Sequence, residues 1–552
     1  MQKRIRKAAL IFIVLLSGII ITQFVYYSNL AAQVPPPKRE FRAIWITTLN
    51  NMDWPSRKGM SVEQQKEEFI NILDRCQKTN LNAVIVQIRP AADAFYMSKY
   101  EPWSEWLGGK QGKPAESGYD PLSFMLEETH KRNMEFHAWI NPLRAVYNTR
   151  FSNVHKSHIS NTRPEWMLQY GTMKVFNPGL PEVRKYLVNI VADIVERYDI
   201  DGIHFDDYFY PFPQANLKLD DKATYRKYKG GFKNIKDWRR NNIDLLIKDT
   251  HRAIKSLKPY VKFGVSPAGV WRNIYDSPQG SNTRGGITSY DHLHADVRGW
   301  LQKGWVDYLV PQVYFSTQLK AVNYRTLVRW WNRNSFDRHV YIGHAAFKVY
   351  WDYDKTWYNR SEIPLQLRYN RSLENISGSV YFRAESFMRN RGHFRDSLEL
   401  SFYQKPALIP SMPWIDNTPP LSPREATVSM SPKGISIHWK NPGPADDGQS
   451  PSYYVIYKMA KTGENYSIED AKNIFQILPA SDTSFLDKTV KDLKQYDYLI
   501  TSVDRLHNES IPAIPIRTST LVMGKWPYED VLFMYNHYQK GMKNYFGWLI
   551  SL

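Results

Sequence analysis

A single cysteine, Cys76, occurs among the 552 residues of the chain. One thiol excludes an internal disulfide framework and a zinc site built from cysteines. The sequence also lacks a G-x-G-x-x-G turn and a P-loop, the glycine-rich motifs that bind dinucleotides and nucleotide phosphates. We therefore expect no cofactor.

Acidic residues are fewer than basic ones: 54 Asp and Glu against 73 Lys and Arg give a formal net charge of +19. A surface of this sign favours polyanionic surroundings such as an acidic cell-wall polymer or anionic lipid. Because the basic residues are scattered along the chain, no nucleic-acid partner is expected. With 43% hydrophobic and 23% charged residues, the composition excludes a disordered chain and a polytopic membrane protein. The length predicts about two to four folded domains.

The N-terminus has the layout of a secretory signal. Four basic residues between Lys3 and Lys7 precede an apolar run over residues 8–27, as in exported proteins. About 20 apolar residues also suffice to span a bilayer, so residues 1–33 are interpreted as either a cleaved signal peptide or a signal anchor. The protein is expected in the periplasm or cell envelope, and any membrane attachment would run through this helix.

Residues 38–402 alternate short β-branched or aromatic runs with longer amphipathic segments, the pattern of repeated βα units. In the first unit Phe69, Ile72, Leu73 and Cys76 share one helical face. Eight units favour an α/β fold, a (β/α)8 TIM-type barrel, over a doubly wound sheet, which would more often carry a glycine-rich turn. The predicted strands are 41–48, 82–88, 134–140, 200–206, 261–266, 306–313, 340–345 and 379–383.

The rest of the chain is expected to be mainly β-structure. Six prolines between Pro406 and Pro423 exclude a helix or a central strand, so residues 403–424 are interpreted as a proline-rich linker. Short alternating runs over residues 425–520 predict a small β-sandwich with Trp439 in its core. For the aromatic C-terminal tail, residues 521–552, an amphipathic helix that packs on another surface is expected.

In such a barrel the chemistry lies at the C-terminal ends of the strands, on side chains that point into the mouth. Ile203 and Phe205 must pack against the helices, which directs His204 and Asp206 inward, and Asp207 begins the following loop. The same alternation directs a further set of side chains toward the barrel interior. They are Gln87, Arg89 with Asp93 just beyond it, His137, Trp139, Asn141, Gln312, Tyr314, Tyr381, Arg383 and Glu385.

Converging carboxylates, amides and aromatic rings suit cleavage between sugars, which needs one carboxylic acid, one carboxylate and flat apolar faces for the rings. Asp206 and Glu385 form the predicted catalytic pair, with Asp93 and Asp207 as reserve acids. Beside Arg89, Asp206 would stay ionised as nucleophile or base, whereas Glu385 beside Tyr381 would have a raised pKa and serve as the acid. The residues expected to bind substrate or to orient the site are Arg89, Asp93, Trp139, Asn141, His204, Gln312, Tyr314 and Tyr381.

The chain resembles the glycosyl-hydrolase-like 10 family through five segments that occur in order. They are FRAIWITTLNNMDWPS (41–56), GYDPLSFMLEETHKRNMEFHAWINPLR (118–144), DGIHFDDYFYPFP (201–213), FGVSPAGVWRN (263–273) and DYLVPQVYF (307–315). The resemblance implies a TIM-type barrel and an exported enzyme that acts on peptidoglycan glycan strands, notably strands stripped of stem peptides. Because the family includes a divisome-localised glycosidase, it also implies cell-division or envelope proteins as partners. Family members with a C-terminal extension commonly carry a fibronectin type III-like sandwich.

Carried over by position, the family's characteristic acidic segment falls on Asp206 and Asp207, and its sugar-contacting strands fall on Asn141, Gln312 and Tyr314. The segment FRAESF (382–387) is similar in placement to an acidic segment of the family but not identical. The assignment of Glu385 as the catalytic acid therefore depends on the alternation of inward and outward side chains along its strand.

Two alternatives to a peptidoglycan glycosidase stay open. A non-catalytic glycan-binding scaffold, in which the sandwich and the tail recruit partners, would bind glycan without creating new reducing ends. A metal-dependent hydrolase would use His204, Asp206 and Asp207 as ligands. Alternation argues against the second, because consecutive strand residues point to opposite faces unless the strand has already ended.

Overall fold

The computed structural model describes residues 35–461, 467–490 and 494–517; the predicted N-terminal signal and the aromatic C-terminal tail lie outside them. Eight parallel strands close into a barrel, and each overlaps a predicted strand. They are β1 Phe41–Ile46, β2 Ala83–Arg89, β3 Glu135–Ile140, β7 Gly202–Phe205, β8 Lys262–Val265, β9 Tyr308–Leu309, β10 His339–His344 and β11 Ile376–Tyr381. Around the barrel the order is β1-β11-β10-β9-β8-β7-β3-β2, so the (β/α)8 prediction is confirmed.

Helices cover the outside of the barrel. They are α1 Val62–Lys78, α2 Glu105–Gly108, α3 Pro121–His130, α4 Ile159–Thr162, α5 Pro181–Arg197, α6 Lys222–Tyr228, α7 Ile235–Leu257, α8 Val297–Gln302, α9 Tyr324–Asn332, α10 Glu362–Arg371, α11 Ala384–Arg389 and α12 Phe394–Ser397. Helix α1 begins where the Ser61 side chain accepts a hydrogen bond from Gln64 N, a typical N-cap. Cys76 is buried on its inner face, as predicted. No helix in the described part of the chain is long and apolar enough to cross a membrane.

Most barrel strands follow the predicted alternation. In β3, Phe136 and Ala138 pack with the helices, whereas Trp139 belongs to the interior cluster together with Trp45 and Tyr308. Three further strands, β4 Arg144–Val146, β5 Met167–Tyr170 and β6 Met173–Phe176, form a small antiparallel sheet in the loop after β3. This loop and the other βα loops build the rim of the barrel mouth.

In β11 the alternation runs opposite to the prediction. Val380 and Phe382 pack in the barrel interior, whereas Tyr381 lies among the helix-facing residues, where its hydroxyl group is hydrogen-bonded to that of Tyr403 at 2.8 Å. The prediction treated the apolar side chains as the outward set. It is wrong because β11 carries apolar side chains on both of its buried faces, so hydrophobicity does not determine which residues point inward.

The C-terminal region forms two facing sheets, which confirms an all-β unit. Their strands are β12 Arg424–Ser431, β13 Gly434–Lys440, β14 Tyr453–Ala460, β15 Ile474–Pro479, β16 Ser484–Asp487, β17 Tyr496–Val503 and β18 Ile516–Arg517. The sheet orders are β16-β13-β12-β18 and β15-β14-β17. Trp439 lies buried between the sheets with Tyr454 and Ile500, as predicted. The more specific fibronectin type III-like assignment stays a prediction.

The sandwich packs against the N-terminal ends of the barrel strands. His507 Nε2 lies 2.6 Å from Glu135 Oε1 at the start of β3, and Lys262 at the start of β8 contacts the same carboxylate. Arg505 Nη1 lies 2.6 Å from Asp199 Oδ1, three residues before β7 begins at Gly202. Because these contacts lie at the strand starts, the sandwich covers the end of the barrel opposite the mouth.

The proline-rich segment crosses this same end of the barrel. It contains no helix or strand before β12, yet Leu408 and Met412 are buried, and the Leu408 N–H donates to Lys38 O at 2.9 Å. Trp414 Nε1 donates to Asp307 Oδ1 at 3.0 Å. Leu408, Met412 and Trp414 thus pack the first part of the segment onto the barrel floor.

Candidate active site

A cavity of about 660 Å³ opens at the C-terminal ends of the barrel strands, within the range of ligand pockets. Its lining includes Trp45, Thr47, Gln87, Trp139, Arg144, Asp206, Asp207, Tyr208, Phe212, Ser266, Gln312, Tyr314 and Phe382. Six residues singled out from the sequence therefore meet here: Gln87, Trp139, Asp206, Asp207, Gln312 and Tyr314.

Asp206 is the first residue after β7, and its carboxylate is buried. Its Oδ2 accepts hydrogen bonds from Trp139 Nε1 at 3.0 Å and from Asn141 Nδ2 at 2.8 Å. Its Oδ1 accepts one from the backbone N–H of Tyr208 at 3.1 Å. Burial raises the pKa of Asp206, while the positive charge of Arg144 and these donors oppose the rise.

Asp207 lines the cavity next to Asp206 because β7 has already ended at Phe205 and strand alternation no longer applies. Burial, and after it the negative charge of Asp206, raises the pKa of Asp207 to about 7. Asp206 accepts three hydrogen bonds, so it is the better place for the negative charge, and Asp207 is the better place for a proton. One protonated and one ionised carboxyl group are what acid-assisted glycoside cleavage requires.

The cation beside this pair is Arg144, not Arg89. The backbone N–H of Arg144 donates to Asn141 Oδ1 at 2.8 Å, and its guanidinium lies 4.2 Å from the centre of the Tyr208 ring. Its Nε is buried and has no hydrogen-bond partner among the described residues. Arg144 therefore offers a charged donor at the cavity wall.

His204 lies outside the cavity lining and supports residues that line it. Its Nε2 is 3.0 Å from Ser266 Oγ and 3.3 Å from Trp45 Nε1, and its Nδ1 is 3.0 Å from the Tyr308 hydroxyl group. Burial holds the pKa of His204 well below its usual range, so the ring is neutral. It orients Trp45 and Ser266 and does not reach the cavity.

Gln312 and Tyr314 both line the cavity, as alternation predicts. Gln312 Nε2 donates to Ser266 O at 3.0 Å. The Tyr314 ring packs against Phe382, with centroids 6.0 Å apart. These side chains give one wall of the cavity both an amide and an aromatic surface.

Arg89 and Asp93 do not line the cavity. Arg89 forms a fully buried two-point ion pair with Glu101, with Nη2–Oε1 and Nε–Oε2 distances of 2.6 and 2.7 Å. Asp93 accepts a hydrogen bond from Gln111 Nε2 at 3.3 Å. The pairing of β2 with β3 shifts register between Gln87 and Arg89, and such a bulge redirects the side chains that follow it.

Glu385 and Tyr381 are also outside the cavity. Glu385 lies in the first turn of α11, where its Oε1 is 2.8 Å from Arg389 Nε and its Oε2 is 3.5 Å from Arg383 Nη2. Tyr381 faces the helices, as described above. By location the second carboxyl group at the cavity is therefore Asp207, the reserve acid, and the predicted Glu385 is a half-buried ion-pair residue outside it.

Several lining residues were missed by the sequence analysis. Trp45 follows from the alternation rule, because Ile44 and Ile46 face the helices and leave Trp45 to point inward. Phe382 was placed on the wrong face. Arg144 begins the short strand β4 in the loop after β3, and Tyr208 lies beyond the end of β7, so the alternation of the barrel strands extends to neither residue.

The ligand set proposed for a metal-dependent hydrolase is not assembled. His204 directs its ring nitrogens to Tyr308, Ser266 and Trp45. Within the described ranges, no group of three or more His, Cys, Asp or Glu side chains is placed to hold a metal ion. The residues present thus do not fit a metal centre at this mouth.

A closed (β/α)8 barrel whose aromatic-walled mouth holds buried carboxyl groups is consistent with a glycoside hydrolase. The family model described as glycosyl hydrolase-like 10 matches residues 40–359. The chain belongs to the glycosyl hydrolase-like 10 family.

Relatives and solved structures resemble the chain to different extents. Glycosyl hydrolase YngK of Bacillus subtilis (strain 168) is 45% identical over 476 residues, which cover 86% of this chain and 92% of that protein. Glycosyl hydrolase DigH of Escherichia coli (strain K12) is 38% identical over 367 residues, which cover 62% of this chain and 83% of that protein. The PgaB (BpsB) glycoside hydrolase domain from Bordetella bronchiseptica superimposes with a TM-score of 0.44 at 12% identity, covering 66% of this chain and 99% of that domain.

Proposed function

We propose that this glycoside hydrolase is exported and cleaves the glycan strands of peptidoglycan, including strands without stem peptides, by acid-base chemistry of Asp206 and Asp207. The observation that carries the proposal is the buried pair of carboxyl groups in one cavity, with the pKa of Asp207 raised to about 7. The family resemblance supplies the expectation of peptidoglycan. The net charge of +19 agrees with an anionic wall polymer.

In this proposal Asp207 donates a proton to the leaving glycosidic oxygen. Asp206 supplies the negative charge that stabilises positive charge on the sugar as the bond breaks. Trp139 and Asn141 hold Asp206 in place through hydrogen bonds of 3.0 and 2.8 Å. The N-terminal signal would direct export, and its helix would provide any attachment to the membrane. Envelope or cell-division proteins would be the partners.

The distribution of exposed aromatic side chains supports a long polymeric substrate. Among the described residues, the exposed aromatic side chains are Tyr100, Tyr147, Phe151, Tyr208, Tyr275, Tyr350, Trp351, Tyr353 and Tyr358. Every one of them lies in a loop that follows a barrel strand, on the face that carries the cavity. Aromatic faces exposed around a sugar-cleaving mouth suit stacking of sugar rings beyond the bond that is cut.

The test is mass spectrometry of products released from purified glycan strands, prepared with and without stem peptides. Full-length wild-type protein is compared with Asp206→Asn and with the matched control Asp446→Asn, which changes an exposed aspartate of the sandwich. Fragments with new reducing ends from wild type and Asp446→Asn, but not from Asp206→Asn, are expected.

Other outcomes would redirect the assignment. Strands that are bound but not cut by any of the three proteins would favour the glycan-binding scaffold. Equal cleavage by wild type and folded Asp206→Asn would remove Asp206 from the mechanism.

A further inference from the structure

Both carboxylates of the cavity lie on one wall. Asp206 and Asp207 are the only carboxylates among the lining residues that the structure describes. They are consecutive at the end of β7, with Cα atoms about 3.8 Å apart by chain geometry. A sugar bound in the cavity is therefore approached by both from the side of β7.

The opposite wall offers no carboxylate. Strand β11 is four strands from β7 in either direction around the barrel. The ends of β11 and of its neighbour β1 contribute Phe382, Trp45 and Thr47 to the lining. The acids nearest in sequence to that wall are engaged elsewhere. Asp53 accepts hydrogen bonds from the backbone N–H groups of Thr47 and Glu385 and is paired with Arg383. The usual glycosidase arrangement, with carboxyl groups flanking the scissile bond, is thus absent.

Asp206 is built as a fixed hydrogen-bond acceptor. Three donors, Trp139 Nε1, Asn141 Nδ2 and the Tyr208 N–H, hold its two oxygens. Oδ2 accepts two of these bonds and Oδ1 accepts one, so Oδ1 keeps a second acceptor site, which can receive an N–H from a ligand. A carboxylate held in place in this way can orient a neighbouring amide group. It is less suited to the role of a nucleophile, which must move toward a sugar carbon.

We infer that the nucleophile is the substrate's own 2-acetamido group, which Asp206 orients by accepting its amide N–H. The inference rests on the proposed function and adds the requirement for an N-acetylated sugar on the non-reducing side of the cleaved bond. The apolar wall of Trp45, Trp139 and Phe382 provides a surface for the acetamido methyl group.

The acetamido carbonyl oxygen forms a bond to C1 while the bond from C1 to the glycosidic oxygen breaks, and Asp207 gives its proton to that oxygen. Asp206 takes the amide proton, so the cyclic intermediate is a neutral oxazoline. Water then attacks C1 and gives a proton to Asp207, the ring C1–O bond breaks, and Asp206 returns its proton to nitrogen. Two inversions at C1 give net retention.

The experiment compares three preparations of peptide-free glycan strands with the full-length protein. One is native, one is chemically N-deacetylated, and one is deacetylated and then re-acylated with trifluoroacetyl groups, which keep the shape of the amide but make its oxygen a weak nucleophile. Deacetylated strands that are re-acetylated serve as the control for chemical damage. NMR of the first products reports the configuration at the new reducing end, and intact-protein mass after a 2-deoxy-2-fluoro glycosyl fluoride reports any covalent adduct.

We expect cleavage of native and re-acetylated strands with retention and no covalent adduct. For the trifluoroacetyl strands we expect kcat to fall by more than about 100-fold, with KM little changed, and for the deacetylated strands no cleavage. Comparable kcat on all preparations, inversion at C1, or an adduct on Asp206 would overturn the inference and leave the proposed function intact. No cleavage of native strands would overturn both.

Discussion

Trp139 Nε1 lies 3.0 Å from Asp206 Oδ2, so a side chain of β3 fixes a carboxylate that follows β7. The two strands are hydrogen-bonded neighbours, and Trp139 is in register with His204. Because both partners are buried, barrel packing fixes the position of this carboxylate.

Trp139→Phe is expected to lower kcat about 10-fold, since it keeps the ring but removes a charge-assisted donor worth roughly 1.5–3 kcal/mol. The measurement is release of reducing ends at saturating glycan. Trp414→Phe is the matched control, because it removes an indole donor to a buried aspartate, Asp307, at the opposite end of the barrel. A similar loss of kcat in both variants would mean that the effect is structural.

Activity is expected to fall as pH rises through about 7. The pKa of Asp207 is raised to about 7 by burial and by Asp206, so the carboxyl group that donates a proton is present below this pH and lost above it. Arg144 opposes the rise, so Arg144→Met should move the alkaline limb of the kcat profile to higher pH. Arg383→Met is the control, because it removes a cation that does not line the cavity and should leave the alkaline limb in place. If the alkaline limb of Arg144→Met does not move, the assignment of Asp207 as the acid is contradicted.

The Arg89–Glu101 pair is expected to act on stability. Both side chains are fully buried and 2.6 Å apart, and loss of one partner leaves an uncompensated buried charge. Glu101→Gln should lower the free energy of unfolding by about 3–5 kcal/mol, measured by denaturant titration. Glu127→Gln, which breaks the exposed pair with Lys131, should cost less than about 1 kcal/mol. Equal effects would show that Arg89 is accommodated without its partner.

The exposed aromatic residues of the loop after β10 are expected to bind sugar rings outside the cavity. Trp351 and Tyr353 are 72% and 83% exposed, so their removal should cost little stability. The double variant Trp351→Ala/Tyr353→Ala should raise KM for long strands roughly 3–10-fold, from about 0.5–1.5 kcal/mol of stacking, with little change on short oligosaccharides. The control is Leu257→Ala, at the exposed end of α7 on the other side of the barrel. If the double variant changes KM equally for short and long substrates, the effect lies inside the cavity.

The sequence alone was sufficient to identify the barrel and most of its strands. Eight alternating βα units, the β-rich C-terminal region and the buried face of Cys76 follow from periodicity, because a strand or helix must bury its apolar positions. Alternation also placed His204 and Asp206 on the inner face of β7, since Ile203 and Phe205 occupy the outer one.

Only the tertiary structure decided which acids meet in the mouth. Arg89 was expected beside Asp206, but a bulge in β2 turns Arg89 to Glu101. Glu385 was expected opposite Asp206, but both faces of β11 are buried, and apolar alternation cannot assign the phase of such a strand. Arg144 reaches the cavity from the short strand β4, to which the alternation of the barrel strands does not extend. Local sequence thus determines which faces of an element are buried, whereas charge partners across the mouth depend on bulges, strand ends and loops that only the closed barrel brings together.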